Sequence, residues 1–387
     1  MPSLMTFPTR IIHGRGAARE LPAELKRAGA KERVFVVTDH GILKANLLRF
    51  VVPQLEQAGL KVTVWPEAQA NPDERNVALG AEAFKASGAD SIVGVGVGGG
   101  SALDAAKAIA LVAHHEGSLS KYAESQNGES LITDQIPPLV LVPTTAGTGT
   151  EVSRSLVLMD PSLGAKMVIS SDHLLADAAI LDAELTVSLP AFGTAVAGLD
   201  ALGRNLEAYL AKGDHPLADA IALDGIARIA KHLKAAVKNP RDLDAREQLM
   251  LASAFGSIAA QKGLGASNSV ARALLPIAGT QHGLGNAVML TSVIHFNHAF
   301  AEARMANVAV ALGFDSRAPA TEAAAACAKI IGDLRHELGV PGKLSHVGVK
   351  HEQIPEIVER ALADSSHLSS PRPVGEVDFE RMINDAF

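Results

Sequence analysis

The sequence predicts an α/β domain built on a parallel sheet, followed by an all-helical domain. Three observations carry this. The first half alternates short β-branched runs with stretches of helical spacing. Past about Pro190 the β-branched runs nearly vanish, and Ala/Leu-rich stretches at helical period take over. A length of 387 residues also exceeds one compact core, so about two domains are expected. The boundary falls at residues 183–192, around DAELTVSLP, and divides the chain into residues 1–187 and 188–387.

The elements follow in order. VFVVTD (Val34 to Asp39) is a β-branched run closed by a polar residue. GILKANLLRFVVPQLEQAG then has helical spacing. KVTVWP (Lys61 to Pro66) predicts a second strand, VALGAEAFKASG a helix, and SIVGVGV (Ser91 to Val97) a buried strand. SALDAAKAIALVA is helical, and PLVLVPTT (Pro138 to Thr145) is the next strand. Strands separated by helices of this length form a parallel sheet covered on both faces. In the second half AVAGLDALGRNLEAYLA, PLADAIALDGIARIAKHLKAAV, AREQLMLASAFGSIAAQKG and APATEAAAACAKIIGDLRHELG predict four helices. No repeat, low-complexity linker or charge block separates the halves, so the domains are expected to pack together around a cleft.

Composition narrows the class. Hydrophobic residues make up 48% and charged residues 20%, the balance of a soluble globular chain. A net charge of -7 with no basic stripe argues against nucleic-acid binding. The single cysteine, Cys327, excludes an internal disulfide and a Cys-based zinc site, and its helical setting reads as a packed thiol. The N-terminus lacks a basic segment followed by an apolar run. The most apolar stretch, Ser91 to Ala113, carries Asp104 and Lys107, so no membrane partner is expected and the cytoplasm is the expected location. The expected assembly is a homodimer or other homo-oligomer.

Two segments point to a nucleotide cofactor. GGGSALDAAK (Gly98 to Lys107) joins a strand to a helix through Gly98, Gly99 and Gly100. Bare backbone there permits close approach of a ligand, and the helix beginning at Ser101 offers amides and a positive dipole end to a pyrophosphate. PTTAGTGTEV (Pro143 to Val152) ends another strand in Thr144, Thr145 and Thr148, interleaved with glycine and closed by Val152. Hydroxyls and glycines at the carboxyl end of a parallel strand stand where α/β sheets bind ligands. Asp39, at the end of its strand, either accepts from a ribose 2′-OH, which favours NAD while leaving NADP possible, or caps the next helix.

Together these segments resemble the iron-containing (group III) alcohol dehydrogenases. The resemblance runs through IIHGRGAARELP (Ile11 to Pro22), VVTD, NPDERNV (Asn71 to Val77), GGGSALDAAK, PTTAGTGTEV, AILDAELTVSLP, GLDAL…EAY, HGLGNAV and GVPGKL. It implies a Rossmann-like N-terminal domain and a helical C-terminal domain, the architecture shared with dehydroquinate synthase-like proteins. It also implies NAD(P)-linked interconversion of alcohols with aldehydes or ketones. By the same resemblance Asp104 belongs to the cofactor segment and Lys166 to a position along the cofactor, although a surface lysine is the alternative.

The resemblance further implies a metal held by one Asp and three His. Asp200 and His282 stand at two of those positions. The first His position, four after Asp200, is Arg204, the second is Asn268, and a further active-site His is replaced by Arg272. An always-charged guanidinium repels a metal, so no catalytic metal is expected; Asp200 and His282 are the ligands should one bind. Asp200 and Arg204 are one helical turn apart and can pair. Arg204 then stabilises the developing alkoxide, and His282, or a water it orients, moves the proton. Alternatively Arg204 turns to the surface and leaves a dead site. Two arginines, Arg204 and Arg272, suit a small carbonyl or alcohol substrate that carries an acidic group.

The remaining histidines carry plainer expectations. His114 and His115 follow a helix end, where positive charge is favourable. His295 and His298 have metal-compatible spacing but suit a structural pair better. The competing readings are a metal enzyme using Asp200, His282, Asn268 and water, a cofactor-binding protein without dehydrogenase activity, and a lyase of the same architecture.

Overall fold

A computed structural model of the chain describes residues 9–98, 101–162 and 164–387, so Gly99 and Gly100 lie outside the described residues. The chain forms two compact units. One runs to Thr145 and resumes over Gly149–Leu189, and the other comprises Ala146–Thr148 and Pro190–Phe387.

The first unit contains β1 (Arg10–His13), α1 (Leu21–Ala28), β2 (Arg33–Val37), α2 (His40–Lys44), α3 (Val52–Gln57), β3 (Lys61–Trp65), α4 (Glu74–Ser87), β4 (Ser91–Gly96), α5 (Ala102–Val112), β5 (Leu139–Pro143), β6 (Ser155–Asp160), β7 (Ala165–Ser170) and β8 (Ala178–Leu181). Six strands form one sheet in the order β1-β8-β5-β4-β2-β3, and every neighbouring pair is parallel. The β-branched runs form its middle because both faces are covered. Phe35, Val37, Ile92, Leu139 and Leu141 pack on the side of α4 and α5, while Val34, Val36, Val93, Val95, Val140 and Val142 pack on the other. This is the period of two that a strand imposes on its side chains.

The structure corrects one reading of this unit and adds an element the sequence reading did not contain. The segment after Asp39 is not one helix. Asn46 takes a left-handed φ of 54°, and Pro53 removes a backbone donor, so the chain breaks into α2, a 3-10 turn (Leu47–Phe50) and α3. The stretch after the threonine-rich turn is a two-stranded antiparallel hairpin, β6 paired with β7 from Ser155↔Ser170 to Asp160↔Ala165. Asp160 turns that hairpin by accepting from the Ser162 amide at 2.9 Å.

The second unit is helical: α6 (Ala191–Leu210), α7 (Pro216–Lys238), α8 (Leu243–Ala259), α9 (Ala266–Ala278), α10 (His282–Ala311), α11 (Ala320–Glu337), α12 (Ile354–Ala363) and α13 (Glu376–Asp385). Helix α6 lies deep in its core. Its Asn205 is fully buried and donates to Ala201 O and Ala252 O. A Cβ at Gly225 or Gly256 would strike that side chain at 2.2 or 2.6 Å, so glycine lets α7 and α8 close on α6. Cys327 is buried in α11, and burial pushes its thiol up to about 12, which makes it the packed, unreactive residue expected. Among the described residues no helix is long and apolar enough to cross a membrane.

Candidate active site

In the α/β unit the strand order fixes where a ligand is expected to sit. From β2 the chain moves outward to β3, then crosses back so that β4, β5, β8 and β1 extend the other way. The crevice at the carboxyl ends of β2 and β4 is therefore the topological switch point. Asp39 flanks it from β2, and Gly96 to Gly98 and Ser101 flank it from β4 and α5. A Cβ at Gly96 would meet Ala102 Cβ at 2.8 Å and Asp39 Oδ2 at 3.4 Å, and its φ is +153°. Only glycine fits there. Gly94 serves packing instead, because a Cβ would strike Leu141 and Ala106 at 2.7 and 2.8 Å.

Asp39 takes the capping role its sequence allows. Oδ1 accepts from Ile42 N at 3.0 Å and caps α2, while Oδ2 faces Gly96. Ser101 Oγ donates to Val97 O at 2.5 Å and shapes the turn. Thr144 is buried and its N–H donates to Gly96 O at 3.0 Å, which brings the end of β5 beside the end of β4, with Thr145 next in the chain. Asp104, Val152 and Lys166 have structural surroundings of their own. Asp104 is fully buried and accepts from Val157 N at 2.9 Å, tying α5 to β6. Val152 is buried in a 3-10 turn, and Lys166 is half-buried on β7. Beside Asp104, Lys107 is also fully buried. It donates to Ser153 O and to Ser155 O, and burial pulls its ammonium down to about 8 against the attraction of Asp104 and Glu151. Thr148 belongs to the helical unit, where the adjacent Gly147 sits against Ala197.

In the helical unit α10 begins at His282 and passes close to α6. A Cβ at Gly283 would lie 3.2 Å from Asp200 Cβ, and one at Gly285 would strike Leu274 of α9 at 2.8 Å. The His-Gly-Leu-Gly sequence is thus the shape that seats α10 between α6 and α9. Asp200 and His282 do come together, with His282 Nε2 3.8 Å from Asp200 Oδ1. The same oxygen accepts from Asn286 Nδ2 at 2.9 Å. Arg204 is half-buried one turn along α6.

The α9 residues have partners that the sequence did not announce. Asn268 Nδ2 donates to Ser366 Oγ at 2.8 Å, and Arg272 Nη1 donates to Asp364 Oδ2 at 2.7 Å. Arg272 is therefore not a bare cation beside Arg204; its charge is matched by a carboxylate. Glu207, two turns after Asp200, is buried and accepts from the N–H groups of Gly265, Ser267 and Asn268 at 3.1, 2.8 and 3.3 Å. It closes the N-terminus of α9 as a capping carboxylate would. Burial pushes its carboxyl up, against the pull of those donors.

His115 is held by two partners: its Nε2 accepts the Thr133 N–H at 2.9 Å and its Nδ1 donates to Leu111 O at 3.0 Å. His295 is exposed and His298 half-buried on α10. Among the described residues no group of three or more His, Cys, Asp and Glu is placed to hold a metal ion.

A parallel sheet with a glycine turn at its switch point, joined to a helical unit bearing Asp200 and His282, defines a nucleotide-linked dehydrogenase of known type. The family model described as iron-containing alcohol dehydrogenase matches residues 8–183, and that for the C-terminal part of the family matches residues 194–387. The chain belongs to the iron-containing alcohol dehydrogenase family and is a nicotinamide-dependent oxidoreductase acting on CH–OH groups. It is 37% identical over 381 residues to the 4-hydroxybutyrate dehydrogenase of Cupriavidus necator, covering 96% of each chain. A 1,3-propanediol oxidoreductase structure matches 100% of both chains with a TM-score of 0.94 and 32% identity. The sulfoacetaldehyde reductase of Bifidobacterium kashiwanohense, solved with NAD+, matches 100% of this chain and 99% of its own, with a TM-score of 0.88 and 26% identity.

The two groups this family implies fare differently. The turn at Gly96–Gly98 and Ser101, with Asp39 across the switch point, fits a dinucleotide. The helical unit does not fit an iron ion: Arg204 brings a fixed positive charge, and among the described residues no three His, Cys, Asp or Glu are grouped to hold one.

Proposed function

We propose that this chain interconverts a small alcohol bearing an acidic group with the matching aldehyde or ketone, uses NAD, and needs no catalytic metal. The observation that carries the reading is the residue set beside Asp200 and His282, where Arg204 and Asn268 replace two imidazoles.

NAD, when bound, supplies the hydride acceptor for oxidation and, as NADH, the donor for reduction. Gly98 and Ser101 would hold its pyrophosphate and Asp39 its adenosine ribose, with Thr144 and Thr145 at the same edge. Arg204 holds the alcohol oxygen and stabilises negative charge as it develops there, the work a metal does in relatives that keep one. Oxidation takes a hydride from the carbinol carbon and a proton from its oxygen. His282 receives that proton, directly or through water, with Asp200 Oδ1 3.8 Å from its Nε2. Arg272, with one nitrogen on Asp364, turns its remaining N–H groups to the acidic group of the substrate. The substrates that name the Cupriavidus and Bifidobacterium relatives, 4-hydroxybutyrate and sulfoacetaldehyde, both carry an acid, which supports this class.

The test compares kcat/KM for 4-hydroxybutyrate with that for butan-1-ol, which lacks only the acid function. A preference of about tenfold or more for the acid is expected, the worth of one charge-assisted hydrogen bond. Equal values, or preference for butan-1-ol, would overturn the acidic-substrate reading.

Cofactor choice gives a second expected result. Asp39→Ser removes the charge that repels a 2′-phosphate and keeps a side-chain oxygen to cap α2. Its kcat/KM ratio of NADPH to NADH should rise above that of the wild type. A wild type that already prefers NADPH contradicts this role for Asp39.

A further inference from the structure

The C-terminal turn that follows α12 reaches the face of α9 on which the substituted active-site residues stand. Asp364 is its centre. Oδ2 accepts from Arg272 Nη1 at 2.7 Å, and Oδ1 accepts from Ser269 Oγ at 2.8 Å and from Ser366 N at 2.9 Å. The turn holds α9 in return. Ser366 Oγ accepts from Asn268 Nδ2 at 2.8 Å, and Ser269 Oγ accepts from His367 N at 3.1 Å. His367 itself is fixed, with Nδ1 2.6 Å from Asp364 O and its ring edge-on to Phe379. Three residues of one α9 face, Asn268, Ser269 and Arg272, are thereby pinned to three of the turn, Asp364, Ser366 and His367.

The chemistry of Asp364 suits a permanent anchor. Burial alone would raise its carboxyl. The Arg272 guanidinium and the Ser366 donors outweigh burial and hold it down to about 2, so it stays ionised throughout the working range. The Arg272 side chain keeps 21% of its surface accessible and that of Asp364 13%, so the guanidinium is the more open member of the pair. A guanidinium has five N–H donors in a rigid plane, and one bond to a carboxylate fixes that plane while leaving donors for a second acid.

We propose that Asp364 is a positioning residue for the reaction: it holds Arg272 in one orientation and so sets the preference for an acid-bearing substrate. This rests on the reading above that Arg272 meets the substrate acid. A substrate carboxylate then meets a donor array already ordered, rather than a flexible side chain that must be fixed on binding.

The test measures the kcat/KM ratio of 4-hydroxybutyrate to butan-1-ol in wild type, Asp364→Asn, Arg272→Ala and the double variant. Asp364→Asn keeps the shape of the turn and removes the anchor charge. Its ratio is expected to fall about tenfold, carried by KM for the acid rather than by kcat. In the Arg272→Ala background the same change should leave the ratio where Arg272→Ala alone puts it. If Arg272→Ala lowers the ratio and Asp364→Asn does not, the role of Asp364 is overturned and that of Arg272 stands. If neither moves it, the Arg272 reading itself fails. Equal losses on both substrates mark a merely structural staple and overturn the proposal, as does a ratio that rises. Should Asp364→Asn not fold, Arg272→Lys replaces it. Lysine keeps the charge but lacks the planar fork, so the ratio should fall again, and an unchanged ratio overturns the proposal.

Discussion

Arg204→Ala is expected to lower kcat by about 10²–10³ while leaving the NADH dissociation constant nearly unchanged, the usual cost of losing one preorganised donor aimed at developing negative charge. The direction follows from placement. Arg204 sits on α6 one turn from Asp200, in the helical unit, whereas the nucleotide turn belongs to β4 and α5. Arg204→Lys should recover only part of the rate, because an ammonium keeps the charge without the planar fork that can meet Asp200 and the substrate oxygen together. Steady-state kinetics with a fluorescence titration of NADH separates the two quantities. Full activity in Arg204→Ala would leave the residue no catalytic role, and an inactive wild type across a broad panel of carbonyl compounds would favour a dead site.

Glu207→Ala should have the largest effect on stability of any single change in this region, a loss of about 2–4 kcal/mol. The carboxylate is buried and accepts three N–H groups at the start of α9, so its removal strands three donors away from water. Glu207→Gln should lose less, since an amide oxygen can still accept from one or two of them. Thermal unfolding of the three proteins checks the order wild type, Gln, Ala. An unchanged midpoint for the alanine variant would mean that solvent satisfies α9 instead. Asn268 and Arg272 lie within two turns of this cap, so activity should fall along with stability.

Much of the α/β unit was legible because strands buried on both faces must be continuous apolar runs, as Val34–Val37, Ile92–Val95 and Leu139–Val142 are. The broken helix after Asp39 was misread because its apolar spacing continues through Asn46 and Pro53, where backbone conformation rather than hydrophobicity decides. Asp200 and His282 were legible through their motifs. The groups that hold the site were not. Asn268 meets Ser366 across 98 positions of sequence, Arg272 meets Asp364 across 92, and Glu207 meets Gly265 across 58. No local period reports such pairs; only the packing of α6, α9 and the C-terminal turn brings them together. Glu207 had one available signal, its position seven residues after Asp200 on the same helical face.

Arg204 is proposed to put a guanidinium where the iron-containing family implies a metal ion. Elemental analysis of the purified, active protein, paired with an assay after exhaustive dialysis against EDTA, tests it most directly. The expected result is iron and zinc far below one per chain and activity unchanged by the chelator. About one metal ion per chain, with activity lost on chelation and restored by adding the metal back, would contradict it.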